Sequence, residues 1–260
     1  MRLLFIRHGD PDYEKDTLTE KGVREAICLA NHIKDFHIDE AYVSPLGRAR
    51  RTAEYSLNML GMSAETLDWL REFPAVIDPN VSREAHLAYP NELWREPDSD
   101  RYRQRIVWDV MPAYYGAHPE LFEREGWRTS KLVQESNMVE IYDHVKENFL
   151  NFLTGHGYRK NGDLFTVEKS NERTIAFFCH YGISSVMMSI LWNISPFIPL
   201  QYIATAPTSV TELVTEERQQ GIAIFRTWRV GDIAHLTMEE ELPSFSARFC
   251  ERFENTDQRH

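Results

Sequence analysis

The sequence predicts an α/β fold, a three-layer α/β/α sandwich with a mostly parallel central sheet. Three observations predict it. Short, near-continuous apolar runs, Leu3 to Ile6 and Thr174 to Cys179, each end in a polar cluster, the pattern of strands buried on both faces. Stretches with apolar residues three and four apart alternate with such runs from the first residues onward. No fixed-period repeat and no Gly/Ser-rich or Pro-rich linker interrupts the 260 residues, so the chain is expected to form one domain over 1–260.

Taken in order, Leu3 to Ile6 is the first strand. Thr19 is placed to cap a helix whose apolar face is Val23, Ala26, Ile27, Ala30 and Ile33. Ala41 to Val43 is a second strand. Ser44-Pro45 then leads into a helix with Ala49, Ala53, Ser56 and Leu60 on one side. Ile141, Val145, Phe149 and Phe152 mark a later helix, Thr174 to Cys179 a strand, and Ile183 to Trp192 a buried helix. Ser209 to Val214 and Ile222 to Trp228 read as the last strands. In the tail from Ser244 to His260, Phe245, Phe249 and Phe253 fall four apart, the spacing of one helical stripe.

The middle breaks this rhythm. Residues 74–138 carry six prolines and eight aromatic residues between Tyr89 and Trp127, too long a stretch for a simple connection. It is expected as a helical, cap-like insertion over the C-terminal edge of the strands. Its eight basic and eleven acidic residues exclude a basic trap for a multiply phosphorylated ligand. Its aromatics suit either a packed insertion or the lining of a pocket for a bulky organic group.

A formal net charge of −11 argues against a surface that grips nucleic acid or an anionic membrane. No apolar stretch approaches the roughly 18 residues of a membrane span. The three cysteines, Cys28, Cys179 and Cys250, are odd in number and far apart, so neither a disulfide framework nor a paired metal knuckle is expected. A cytoplasmic location fits these features. Homo-oligomerisation is left open.

Chemistry gathers at strand ends. Arg7-His8-Gly9 follows the first strand, and His180 follows the strand Thr174 to Cys179, at the carboxyl edge where open α/β sheets place their sites. A glycine follows each histidine closely and would let the backbone approach a ligand. An isolated histidine is ordinarily a hydrogen-bonded structural residue. That reading is given to His32, His37, His86, His118, His144, His156, His235 and His260.

Five pieces occur in a telling order: Arg7-His8-Gly9, Leu18-Thr19-Glu20-Lys21-Gly22, Ser44 through Ala53 with Arg48 at its centre, Leu70-Arg71-Glu72, and Cys179-His180-Tyr181-Gly182. The ordered set resembles the histidine phosphatase superfamily, the phosphoglycerate mutase-like group, over roughly residues 1–73 and 139–230. The resemblance implies that His8 is a nucleophile forming a phosphohistidine and that Arg7, Arg48 and His180 surround the phosphoryl oxygens. It also implies that Glu72 is the proton donor, with Glu84 as its rival. Arg50 and Arg51 would then lie on the outer face of their helix. Such a site works by positioning and electrostatics, with no metal and no cofactor, on a small-molecule phosphate ester.

Two departures bear on the activity. Glu14 stands where many members carry asparagine, and Phe73-Pro74-Ala75-Val76 replaces a Gly-rich continuation common in the cofactor-dependent mutases. Phosphomonoester hydrolysis is therefore expected over phosphoglycerate mutase-type transfer. A non-catalytic phosphate-binding module would have no need of the complete residue set.

Overall fold

A computed structural model describes residues 1–244 and Glu254. The phenylalanine stripe expected at 245–253 lies outside the described residues. The chain divides into two compact units.

The first unit comprises Met1–Glu72, Leu150–Ser184 and the described residues from Ala204 on. Its frame is an eight-stranded sheet. In chain order the strands are β1 (Arg2–Arg7), β2 (Glu40–Val43), β3 (Glu65–Thr66), β4 (Tyr158–Asn161), β5 (Leu164–Val167), β6 (Thr174–Cys179), β7 (Val210–Gln219) and β8 (Ile222–Asp232), arranged β3-β2-β6-β1-β7-β8-β5-β4. The mostly parallel core is the block β3-β2-β6-β1. Beyond β1 the pairings are antiparallel, so the sheet as a whole is mixed. The turn between β7 and β8 is the two residues Gln220-Gly221. Gly221 has φ +75°, the left-handed conformation that tight hairpins require.

Alternation along the core strands sends side chains to both faces. Leu4, Ile6, Ala41, Val43, Ala176 and Phe178 form one buried cluster with Leu29 and Ile33 and with Ala53 and Leu57. Those partners come from the helices α1 (Glu20–His32) and α2 (Gly47–Leu60) and the turn after α1. On the other face Phe177 stacks on Tyr42 and meets Phe152 and Trp69 edge to face or tilted. Phe152 belongs to α3 (Met138–Gly155). Both faces of the core strands are thereby covered.

Thr19 caps α1 as expected, its hydroxyl accepting the Gly22 N–H at 3.0 Å. The buried stripe of α1 differs from the predicted one at one position. Ile27 is exposed, and the buried side of the helix carries Glu25 and Leu29. Glu25 is buried because its two oxygens accept the main-chain N–H groups of Asp10 (2.9 Å) and Ser244 (2.8 Å). Arg50 and Arg51 point outward, both exposed, with Arg51 bound to Glu54 and Tyr55.

The second unit comprises Phe73–Phe149 and Ser185–Ile203. It contains the short helices Arg83–Ala88, Pro112–Ala117 and Phe197–Tyr202 and a two-residue ladder of Val76–Ile77 with Arg105–Ile106. Many of its aromatics serve packing. Trp127 is buried against Tyr142 and Phe197, and Trp108 donates from its indole to the Phe73 carbonyl. Tyr89, Trp108 and Tyr114 are buried as well.

Candidate active site

The first unit brings Arg7, His8, Arg48, Glu72 and His180 to the carboxyl end of the parallel strands. Arg7 is the last residue of β1, His8 follows it, and His180 follows β6, which pairs with β1 in register Arg7 to Cys179. Two adjacent parallel strands thus deliver two histidines side by side. Their rings sit edge to face with centroids 5.0 Å apart, both buried.

The main chain at His8 is held from several directions. Its N–H donates to the Cys179 carbonyl at 3.1 Å, its carbonyl accepts the Thr208 N–H at 3.1 Å, and the next amide, Gly9, donates to Thr52 Oγ1 at 3.0 Å. Gly9 is demanded by crowding. A Cβ there would meet the Gly22 carbonyl oxygen at 2.6 Å. The glycine after His180 has a different setting from the turn expected, since Gly182 lies in the first turn of the helix α4 (Tyr181–Trp192).

The tautomer of His8 follows from its main-chain contact. Its Nδ1 lies 2.7 Å from the Gly9 carbonyl, which can only accept, so the proton of the neutral ring is assigned to Nδ1 and Nε2 carries the lone pair. The Arg48 Nε–H faces that lone pair at 3.4 Å. Burial, then the Arg7 and Arg48 guanidinium groups, hold the His8 pKa well below that of an ordinary histidine. The ring is therefore neutral near pH 7.

His180 is held neutral in the same way, by burial first and then by His8, Arg48 and Arg7. Its Nε2 is 2.7 Å from Ser44 Oγ, and that oxygen accepts the Leu46 N–H. The Ser44 proton is thus available to Nε2, which assigns the ring proton to Nδ1. His180 Nδ1 is buried with no hydrogen-bond partner among the described residues. A buried donor left in this way suits an incoming phosphoryl oxygen.

The cations are fixed by neighbours. Arg7 donates through Nη1 to the Thr205 carbonyl and lies over the Tyr181 ring at 5.6 Å, and its own amide donates to the Ser209 carbonyl. Arg48 is buried in the first turn of α2. Its Nη1 pairs with Asp16 Oδ1 at 2.8 Å, and the ring of Tyr13 covers it at 5.4 Å. The other Asp16 oxygen accepts the Gly47 N–H at 2.6 Å, capping α2 from a distant loop. Burial disfavours the Asp16 carboxylate, but the Gly47 and Arg48 donors outweigh it and hold its pKa below the ordinary range.

Glu72 accepts the Ile183 N–H at 3.1 Å, at the N-terminus of α4, and its charge acts on Arg7. Glu84 lies in the second unit, buried, and accepts the Tyr114 hydroxyl at 2.7 Å. Glu14 is exposed. Asp16 and Tyr13 are the site residues that the sequence reading missed. The Asp16–Arg48 pair joins residues 32 apart, and no local spacing signals it.

Among the described residues no helix is long and apolar enough to cross a membrane. Residues 3–106 match the model of the histidine phosphatase superfamily, branch 1. The 2,3-bisphosphoglycerate-dependent phosphoglycerate mutase of Bartonella tribocorum is 39% identical over 72 residues, 24% of this chain. That match spans 35% of the relative's length. Among solved structures, mycobacterial glucosyl-3-phosphoglycerate phosphatase with inorganic phosphate superposes with a TM-score of 0.56 at 15% identity, covering 90% of this chain and 98% of that one. A phosphoserine phosphatase mutant from Entamoeba histolytica with phosphoserine gives 0.55 at 14% identity, with the same coverage. At such identities these likenesses speak to the fold. The N-terminal residues 3–106 are thus similar to the histidine phosphatase superfamily, and the fold is shared with the two phosphatase structures.

Proposed function

We propose that this chain hydrolyses small phosphomonoesters through a phosphohistidine on His8, without a metal ion. The observation that carries the reading is the 2.7 Å contact of His8 Nδ1 with the Gly9 carbonyl, from which the tautomer is assigned. A neutral imidazole whose Nδ1–H is tied to the Gly9 carbonyl presents its Nε2 lone pair beside Arg48. Nε2 attacks phosphorus as the bond to the ester oxygen breaks, and the proton needed by the leaving oxygen is assigned to Glu72. In the second step water attacks the phosphohistidine, Glu72 takes its proton, the P–N bond breaks and inorganic phosphate leaves. Arg7, Arg48 and the His180 Nδ1–H stabilise the charge on the phosphoryl oxygens in both steps. Two guanidinium groups beside the nucleophile supply the charge that a divalent ion would otherwise bring.

Transfer between two hydroxyls is the second reading, favoured by the sequence match to a mutase. Glu14 and the Phe73-Pro74-Ala75-Val76 stretch favour hydrolysis, because neither adds the cationic groups that a bisphosphorylated intermediate needs. Two buried thiols, Cys28 and Cys179, support a reducing, cytoplasmic setting. The test is a panel of phosphomonoesters, phosphoglycerates included, assayed with excess chelator. Release of inorganic phosphate is expected. Isomerisation of a phosphoglycerate without net release, or activity abolished by the chelator, would overturn the reading.

A further inference from the structure

Outside the residues that would touch the phosphoryl group, one buried histidine reaches the nucleophile through a single intermediary. His235 lies in the short helix α5 (Ala234–Met238), whose first N–H is held by Asp232 Oδ1 at 2.8 Å. Its ring is buried, and its Nε2 is 3.0 Å from the Oγ1 of Thr208. The Thr208 hydroxyl also sits 2.7 Å from the Pro207 carbonyl. A hydroxyl has one proton and the carbonyl can only accept, so the His235 bond is assigned as Nε2–H donating to Oγ1.

Thr208 is an unusual residue to find here. Its φ is +59°, in the left-handed region, where a β-branched side chain is a genuine outlier. Such a conformation persists only where the surroundings impose it. From it the Thr208 amide donates to the main-chain carbonyl of His8 at 3.1 Å. The same short loop supplies the Thr205 and Ser209 carbonyls that hold the Arg7 guanidinium and amide.

We propose that His235 is a positioning residue for the nucleophile, holding Thr208 in the left-handed conformation from which its amide fixes the His8 backbone. The inference rests on the reading of His8 as the attacking group. It gives the histidine that the sequence marks as merely structural a defined share in catalysis. A displacement of the attacking atom by a fraction of an ångström is costly in a displacement at phosphorus, so the effect belongs in kcat rather than in substrate affinity.

Wild type, His235→Phe, Thr208→Gly and the double variant test it, with His235→Gln as a rescue. Single-turnover labelling of His8 and steady-state kcat and KM are measured with p-nitrophenyl phosphate as the probe. His235→Phe is expected to lower kcat and the labelling rate about tenfold, with KM changed less than about twofold. Glycine adopts positive φ without strain, so in the Thr208→Gly background the same replacement is expected to cost less than about twofold. His235→Gln, whose amide can donate to the same hydroxyl, is expected to recover most of the loss, and His235→Leu takes the place of His235→Phe if the latter does not fold. Equal losses in both backgrounds, or no loss in either, overturn the inference while labelled wild type leaves the reading of His8 intact. A wild-type enzyme that releases phosphate but never labels His8 overturns both.

Discussion

Removing the Asp16 carboxylate separates two things that residue does. One oxygen caps α2 through the Gly47 N–H, and the other holds Arg48, whose Nε–H faces His8 Nε2 at 3.4 Å. A charge-assisted bond to a main-chain N–H at a helix start contributes about 1–2 kcal/mol. The ion pair adds less than its 2.8 Å suggests, because the Asp16 side chain is 43% exposed and partly screened by solvent. Asp16→Ala is therefore expected to lower stability by about 2 kcal/mol, and Asp16→Asn, which keeps an acceptor for Gly47, by about 1 kcal/mol. The Asp16 pKa is held low in the folded state, so its contribution is full above the unfolded carboxylate pKa and is lost only as the pH falls through the lower folded value.

The catalytic effect follows from Arg48. Without its anchor, the guanidinium no longer has a fixed place beside His8 Nε2, and kcat is expected to fall about tenfold in Asp16→Ala, with Asp16→Asn in between. Urea denaturation gives the first quantity and phosphate release the second. An Asp16→Ala protein with the stability loss but wild-type kcat would refute the anchoring role and leave Asp16 a helix cap only. A gain in kcat would show that Asp16 competes with substrate for Arg48.

Three further outcomes follow from the same structure. The acid limb of the labelling rate is expected well below the ordinary histidine range, because burial and two arginines lower the His8 pKa. By the same sign the folded protein loses stability as the pH falls below about 6.5, where the unfolded histidine gains a proton first. A limb centred on the ordinary value in a pH series would contradict this. Gly22→Ala, a change that ordinarily strengthens a helix, is expected to destabilise by about 3 kcal/mol, because the added Cβ would meet the Asp10 main chain, its amide nitrogen at 2.7 Å. Unchanged or raised thermal stability would show that the contact is not tight.

Much of the site is readable in the sequence because strand ends concentrate chemistry. The apolar runs before Arg7 and His180 mark two strands, and their parallel pairing brings the two histidines together. The motif around Ser44 and Arg48 places that arginine on the inner side of α2, with Arg50 and Arg51 outside. What escapes is set by long-range hydrogen bonds. Glu25 takes a buried position on α1 because two distant amides need an acceptor, and Ile27 is left exposed. Asp16 reaches Arg48 across the loop. The hairpin β4-β5 has too little apolar alternation to announce itself, since Tyr158-Arg159-Lys160-Asn161 lies at the sheet edge. The middle segment is opaque for another reason. Its helices Arg83–Ala88 and Pro112–Ala117 have six residues each, too short for a helical period to show.

In the proposed reaction the phosphoryl group passes through His8. Rapid quenching in alkali of enzyme mixed with a radiolabelled phosphomonoester, followed by peptide mapping, tests it directly. An acid-labile, alkali-stable label is expected on the peptide that contains Arg7-His8-Gly9, formed within one turnover and absent from His8→Ala. A label that persists in His8→Ala, or turnover with no labelled enzyme at any time point, would contradict it.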